Sequence, residues 1–329
     1  RKGVIFVRKT LLLFVALLFS MGLILAACGG ATDNGEDTNA EGNEAGQETE
    51  ENGAEEGNAE DSADEGDGNA EAGGTVTLAY VAWDSEIASH HVLQKVLEDE
   101  GYEVELLAVD NGPMWAGVAD GSADATAAAW LPATHKAQYE EFGDQVVDLG
   151  PNLEGAKIGM VVPEYVEIDS IEEVNENADQ FNGEIVGIEP GAGVMAATEA
   201  AIEEYDMTDM ELLQSSSAGM AAELQKRYEA EEWVAVTGWT PHWKFSKFDL
   251  KYLEDPLGVY GEAEAIHTIV REGLEEDMPR VYQILDNFSW EAADMEAVML
   301  EIEDGADPEE AAANWVEANQ DKVAEWLAE

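Results

Sequence analysis

The sequence predicts an α/β fold in two lobes, built on largely parallel sheets and confined to residues 75–329. Three observations predict it. Short apolar runs of strand length alternate with stretches of helical apolar spacing. The alternation comes in two sets joined by connecting segments. It begins only after a long stretch with no apolar pattern.

In the first set, Thr75 to Trp83 (TVTLAYVAW) is a buried-strand run. Ser85 to Glu100 carries Ile87, His91 and Leu97 at helical spacing, and Gly101 ends that helix. Val104–Val109 is a second strand, Pro113–Asp120 a short helix, and Ala125–Trp130 a strand of small residues. Pro132–Phe142 is helical, and Lys157–Val162 is a strand stopped by Pro163. The second set opens with the strand Glu184–Ile188, the turn Glu189–Gly193 and the helix Val194–Tyr205. A helix over Ala218–Glu229 and a strand over Trp233–Trp239 follow. One more strand region begins near Lys251, and the helices Leu274–Asn287, Trp290–Asp304 and Pro308–Leu327 close the chain. The lobes are expected at roughly 75–175 plus 250–329 and at roughly 176–249.

Residues 1–74 call for a different reading. Arg1, Lys2, Arg8 and Lys9 precede an apolar run that ends in small residues before Cys28, the pattern of a secretory signal over 1–27. Leu25-Ala26-Ala27-Cys28 resembles a bacterial lipobox, which implies acylation of Cys28 and a lipid anchor on the extracytoplasmic face of the membrane. Cys28 is the single cysteine of 329 residues, so neither a disulfide framework nor a cysteine-based zinc site is available to the fold. Residues 28–74 hold 16 acids and no Lys or Arg. Such a stretch buries too little to offset ordering entropy and is expected to be a disordered acidic tether.

The remaining 57 acids and 11 basic residues fall in 75–329. That field repels nucleic acid and anionic headgroups. An excess of this kind suits high-salt surroundings, where ions screen the self-repulsion.

Three tryptophans stand at strand ends: Trp83 after TVTLAYVA, Trp130 after ATAAA and Trp239 after VAVTG. Open α/β sheets bind ligands beyond the carboxyl ends of their strands. Indole faces attract a cation through the ring quadrupole, at about 0.5–2 kcal/mol per desolvated face. They suit a trimethylammonium group, which offers no hydrogen-bond donor. Trp115, Trp233, Trp243, Trp290, Trp315 and Trp326 read as core, helix-face or surface residues. The stretch Gly187–Met195 (GIEPGAGVM) runs from strand through glycine turn to helix start, where backbone N–H groups hold an anion. It lacks both the dinucleotide-binding and the P-loop patterns, and a small carboxylate fits it better than a nucleotide. His135, in the first turn after Trp130, is placed to donate to such a carboxylate, and His242 is a second candidate. Nucleophile-elbow, HExxH and metal-ligand spacings are missing from the sequence, so neither an enzyme nor a metal or cofactor protein is expected.

Long stretches of 75–329 resemble the glycine betaine/proline betaine-binding subunits of ATP-driven osmoprotectant importers. Among them are LAYVAWDSEIAS (78–89), NGPMWAGVADGSADA (111–125), AAWLPATHKAQY (128–139), GIEPGAGVMAATEAAI (187–202) and VTGWTPHWKFSKFDLKYLEDP (236–256). The resemblance implies a two-lobed, periplasmic-binding-protein-like type II fold with the ligand in the interlobe cleft. It implies a cage of Trp83, Trp130 and Trp239 around the trimethylammonium group, and a carboxylate held by His135 and the amides of Gly193 and Val194. The partners it implies are a betaine, a permease and an ATPase subunit, with the binding protein acting as a monomer for osmoprotection. Choline, carnitine or ectoine is the alternative ligand. A surface sensor or an enzyme acting on betaines is the alternative class.

Overall fold

The computed structural model describes residues 73–328. The expected signal segment, Cys28 and the tether as far as residue 72 lie outside the described residues.

Nine strands are present among them: β1 Thr75–Tyr80, β2 Glu103–Ala108, β3 Ala125–Leu131, β4 Val146–Pro163, β5 Glu184–Val186, β6 Glu211–Leu213, β7 Ala235–Thr240, β8 Leu250–Tyr252 and β9 Glu264–Arg271. The helices of the first set are α1 Asp84–Asp99, α2 Asn111–Asp120 and α3 Lys136–Phe142. Those of the second set are α4 Gly193–Glu204, α5 Ser217–Glu229 and α6 Lys244–Lys247. The chain ends in α7 Leu274–Asp277, α8 Pro279–Asn287, α9 Ala292–Glu303, α10 Pro308–Ala318 and α11 Gln320–Trp326.

The strands lie in the order β2-β1-β3-β9-β4-β7-β5-β6, with β8 beside β4. Pairing is parallel for β1 with β2 and β3, and for β5 with β6 and β7. It is antiparallel for β9 with β3 and β4, and for β4 with β7 and β8. The sheets are therefore mixed, where the sequence predicts largely parallel ones. The difference comes from β4 and β9. Residues 146–156 of β4 pair with β9, and residues 157–163 pair with β7 and β8. One strand thus serves both halves, and the sequence predicts only its second part. The first part escapes notice because Gly150 and Gly155, both at positive φ, sit at register shifts against β9. Each kinks the strand and interrupts its alternation.

β3 is buried along its whole length, and its alanines let α1 and α2 approach the sheet closely. Gly121 caps α2 in the left-handed conformation. The C-terminal helices α9 and α10 pack on α1. Trp290, Trp315 and Trp326 form a buried cluster there, with the Trp315 and Trp326 rings stacked 5.6 Å apart. Of the core, helix-face and surface places that the sequence leaves open for them, these three take the core. The predicted helix 308–327 breaks at Asn319 into α10 and α11.

Candidate functional site

Trp83, Trp130, Trp239, His135, Gly193 and Val194 line one cleft, with Ile158 and Ile188 in its walls. Each side chain arrives from the end of a strand or the start of a helix. Trp83 stands in extended backbone as the N-cap of α1, two residues past its hydrogen-bond partner Val81. Trp130 is the last but one residue of β3, Trp239 lies near the end of β7, and His135 precedes α3. Gly193 and Val194 are the first residues of α4.

The three indoles are at most 6% exposed, so a cation between them is stripped of water. Trp83 Nε1–H donates to Glu189 Oε1, and Trp130 Nε1–H donates to Glu86 Oε1 at 2.8 Å. Trp239 Nε1 has no partner among the described residues. Instead the ammonium of Lys244 sits over its ring, 4.1 Å from the centroid. Lys244 is fully buried, and its Nζ lacks a hydrogen-bond partner among the described residues. Burial drives its pKa well below the ordinary lysine value.

His135 supplies a directed donor. Its Nδ1 receives the backbone N–H of Trp130 at 3.2 Å and faces Trp115 Nε1 at 3.4 Å. Two donors aimed at Nδ1 put the ring proton on Nε2, which is buried and without a partner among the described residues. Burial lowers the pKa of His135 to about 3, so the ring is neutral at ordinary pH and Nε2–H can only donate. At the start of α4, the N–H groups of Gly193 and Val194 have no partner within the helix. Gly193 presses so closely on the Thr134 carbonyl that any Cβ would overlap it. Thr134 is in turn held by Glu264, whose Oε2 accepts the amides of Ala133 and Thr134 at 3.0 and 3.1 Å.

His242 does not line the cleft. It packs edge-on behind Trp239, with ring centroids 4.7 Å apart, and its Nδ1 accepts the Lys244 amide. Its Nε2 faces Asp84 Oδ2 at 3.5 Å. Asp84 also accepts from Trp243 Nε1 at 2.6 Å and Ser217 Oγ at 2.7 Å. Burial opposes the Asp84 charge, but His242, Trp243 and Ser217 outweigh it and hold the carboxyl below the usual range. One carboxylate at the start of α1 thereby ties the first half of the fold to α5 and to the β7–α6 turn. Sequence reasoning missed Asp84, Glu86, Glu189, Trp243 and Lys244. For two of them a signal exists: Asp84 directly follows the first strand-end tryptophan, and Glu86 lies three residues beyond it.

Together the cleft offers a dry aromatic enclosure for a cation and, on one side, a neutral N–H donor with two backbone amides for an anion. The described residues contain no group of three or more His, Cys, Asp or Glu side chains able to hold a metal ion.

Residues 74–318 match the OpuAC family, described as the substrate binding domain of an ABC-type glycine betaine transport system. The glycine betaine/carnitine transport binding protein GbuC of Listeria monocytogenes serotype 1/2a (strain 10403S) is 57% identical over 150 residues. That match covers 45% of this chain and 50% of the relative, so the chain spans about half the length of that curated protein. Lactococcal OpuAC, solved in its closed-liganded conformation with glycine betaine, is 48% identical with a TM-score of 0.74. The likeness covers 77% of this chain and 99% of that one. The glycine betaine/L-proline-binding protein ProX of Borrelia burgdorferi is 37% identical with a TM-score of 0.75, over 78% of this chain and 97% of that one. The fold is the two-lobed type II periplasmic-binding-protein fold.

Proposed function

The chain belongs to the family of substrate binding domains of ABC-type glycine betaine transport systems, and from that premise we propose that it captures glycine betaine outside the cytoplasm and delivers it to an ATP-driven permease. The observation that carries this reading is the pairing, in one cleft, of three buried indoles with a neutral histidine N–H and the first amides of α4. A quaternary ammonium gains from indole faces without needing a counter-ion in contact. A carboxylate gains from His135 Nε2–H and from the Gly193 and Val194 amides. A zwitterion of this length satisfies both ends.

Choline would leave His135 Nε2 and the α4 amides without their anion, so it ranks below a betaine. Proline betaine keeps both ends and is the nearest competitor. The protein acts by binding alone, as a monomer, with no chemistry on the ligand. Lobe closure at the cleft presents the loaded form to the permease. Within this proposal the lobes are roughly 75–175 plus 250–329 and roughly 176–249. Cys28 carries the lipid anchor and 28–74 the spacer that holds the binding domain off the membrane.

The test is titration of the wild type and of Trp130→Ala with glycine betaine, read by calorimetry and tryptophan fluorescence. Wild type should bind one equivalent, and the variant should bind far more weakly while still folded. Equal affinity in the two would remove Trp130 from the site.

A further inference from the structure

Resting on the betaine reading, we propose that Glu86 is the positioning residue and counter-charge of the cage: its carboxyl fixes the Trp130 indole through Nε1 and gives up its proton when the ligand cation enters.

Glu86 sits in the first turn of α1 and is 1% exposed. Oε1 accepts the Trp130 indole N–H at 2.8 Å, and Oε2 accepts the Ser85 hydroxyl. Both bonds are donated to the carboxyl, so they survive its ionisation. Among the described residues it makes no ion pair: its neighbours are a hydroxyl, an indole and the like charge of Asp84. Burial first, with the Asp84 charge adding to it, raises its pKa to about 7. The empty site therefore keeps the proton near neutrality, because an unpaired carboxylate in a dry interior is costly.

A trimethylammonium group against the cleft face of Trp130 changes this balance. It cannot donate a hydrogen bond, and the described lining of the cleft offers it no anionic side chain in contact. Its charge enters the same low-dielectric region as Glu86, with one indole between them. A nearby opposite charge favours the ionised carboxyl. By linkage the ionised carboxyl then favours the cation to the same degree, and the proton passes to the buffer.

Other titratable groups around Glu86 behave differently. His90 on α1, stacked on Tyr80 of β1, is lowered to about 4 by burial. His135 and His242 are lowered to about 3 and about 4, again by burial first. All three are neutral from pH 5.5 to 8. Asp84 is held below the usual carboxylate range, so it is charged throughout that window. Burial raises the Tyr80 hydroxyl further from it. Asp307 and Glu309, from the α9–α10 turn and α10, act on His91 instead. Lys244, behind Trp239, is lowered by burial toward neutrality, and a comparison with Glu86→Gln separates its contribution.

The experiment is calorimetric titration of the full chain with glycine betaine from pH 5.5 to 8, for wild type and Glu86→Gln. The amide variant keeps an oxygen for the Trp130 N–H and loses the charge. Wild type should bind about tenfold more tightly at pH 8 than at pH 5.5, the effect of one unit of pKa shift on binding. Glu86→Gln should bind at pH 8 about as weakly as wild type does at pH 5.5, with a flat profile. At pH 6.5, wild-type heats in two buffers should differ by the number of protons released times the difference between the buffers' ionisation enthalpies. This wild-type measurement decides the matter even if the variant does not fold. A flat wild-type profile, heats independent of buffer, or a Glu86→Gln profile that parallels wild type would overturn the proposal while leaving betaine binding in place. Absence of binding by wild type at every pH would overturn both.

Discussion

Trp130 concentrates the site at the residue scale: it stands one residue before the end of β3, faces the cleft, gives its backbone N–H to His135 and its indole N–H to Glu86. Losing its face removes about 2 kcal/mol of cation–π attraction from a dry site, a drop of about thirtyfold in betaine affinity for Trp130→Ala. The three cleft tryptophans were legible in the sequence because each follows a strand-like run and precedes a turn. That placement alone separated Trp83, Trp130 and Trp239 from the other six. His135 was legible for the same reason, five residues beyond Trp130 and just before α3. The groups behind the indoles were not. In a chain with 73 acids, the one mark on Asp84 and Glu86 is their nearness to Trp83, and it does not say that they turn away from water. Their burial is decided by α1 packing against β3 and by the approach of the β7–α6 turn. Lys244 was equally hidden, since lysine ordinarily ends in solvent.

The start of α4 shows the same division at the scale of elements. The glycine turn was recognisable as a strand-to-helix junction with free amides. What the pattern could not convey is that Gly193 meets Thr134, sixty residues earlier in the chain, with no room for a methyl group. The obstructing atom is a backbone carbonyl fixed by Glu264, so it cannot yield cheaply. Gly193→Ala therefore forces α4 away from β3 and α3. Overpacking of this kind costs about 1–3 kcal/mol. We expect glycine betaine affinity to fall by about tenfold or more, and the melting temperature to fall by a few degrees. Calorimetry beside a thermal melt checks this, and undiminished affinity would contradict the close contact. The strand order was only half legible. Parallel β–α–β units announce themselves by alternation, whereas β9 and the first half of β4 pair across more than a hundred residues with glycine bulges in the register.

At the scale of the whole molecule, the buried histidines govern acid stability. His90, His135 and His242 bind protons less readily in the fold than in the unfolded chain, with values lowered to about 4, 3 and 4. Between about pH 6.5 and 4 the unfolded chain holds more protons, so stability falls as pH falls through that window. Glu86 works in the opposite direction, since its raised value favours the protonated fold as pH drops below about 7. His91, lowered by burial, adds to the loss, and Glu296, raised by burial, adds to the gain, so four histidines against two carboxyls leave a net loss. In 1 M salt, which screens the repulsion among surface acids, the ligand-free melting temperature should fall by roughly 5 °C or more from pH 7 to pH 5. A melting temperature that rises would contradict it. A crystal structure of the chain with glycine betaine locates the ligand outright. The trimethylammonium group should lie between Trp83, Trp130 and Trp239, and the carboxylate on His135 Nε2 and the Gly193 and Val194 amides. A ligand seated elsewhere, or reversed with its carboxylate among the indoles, would contradict that placement.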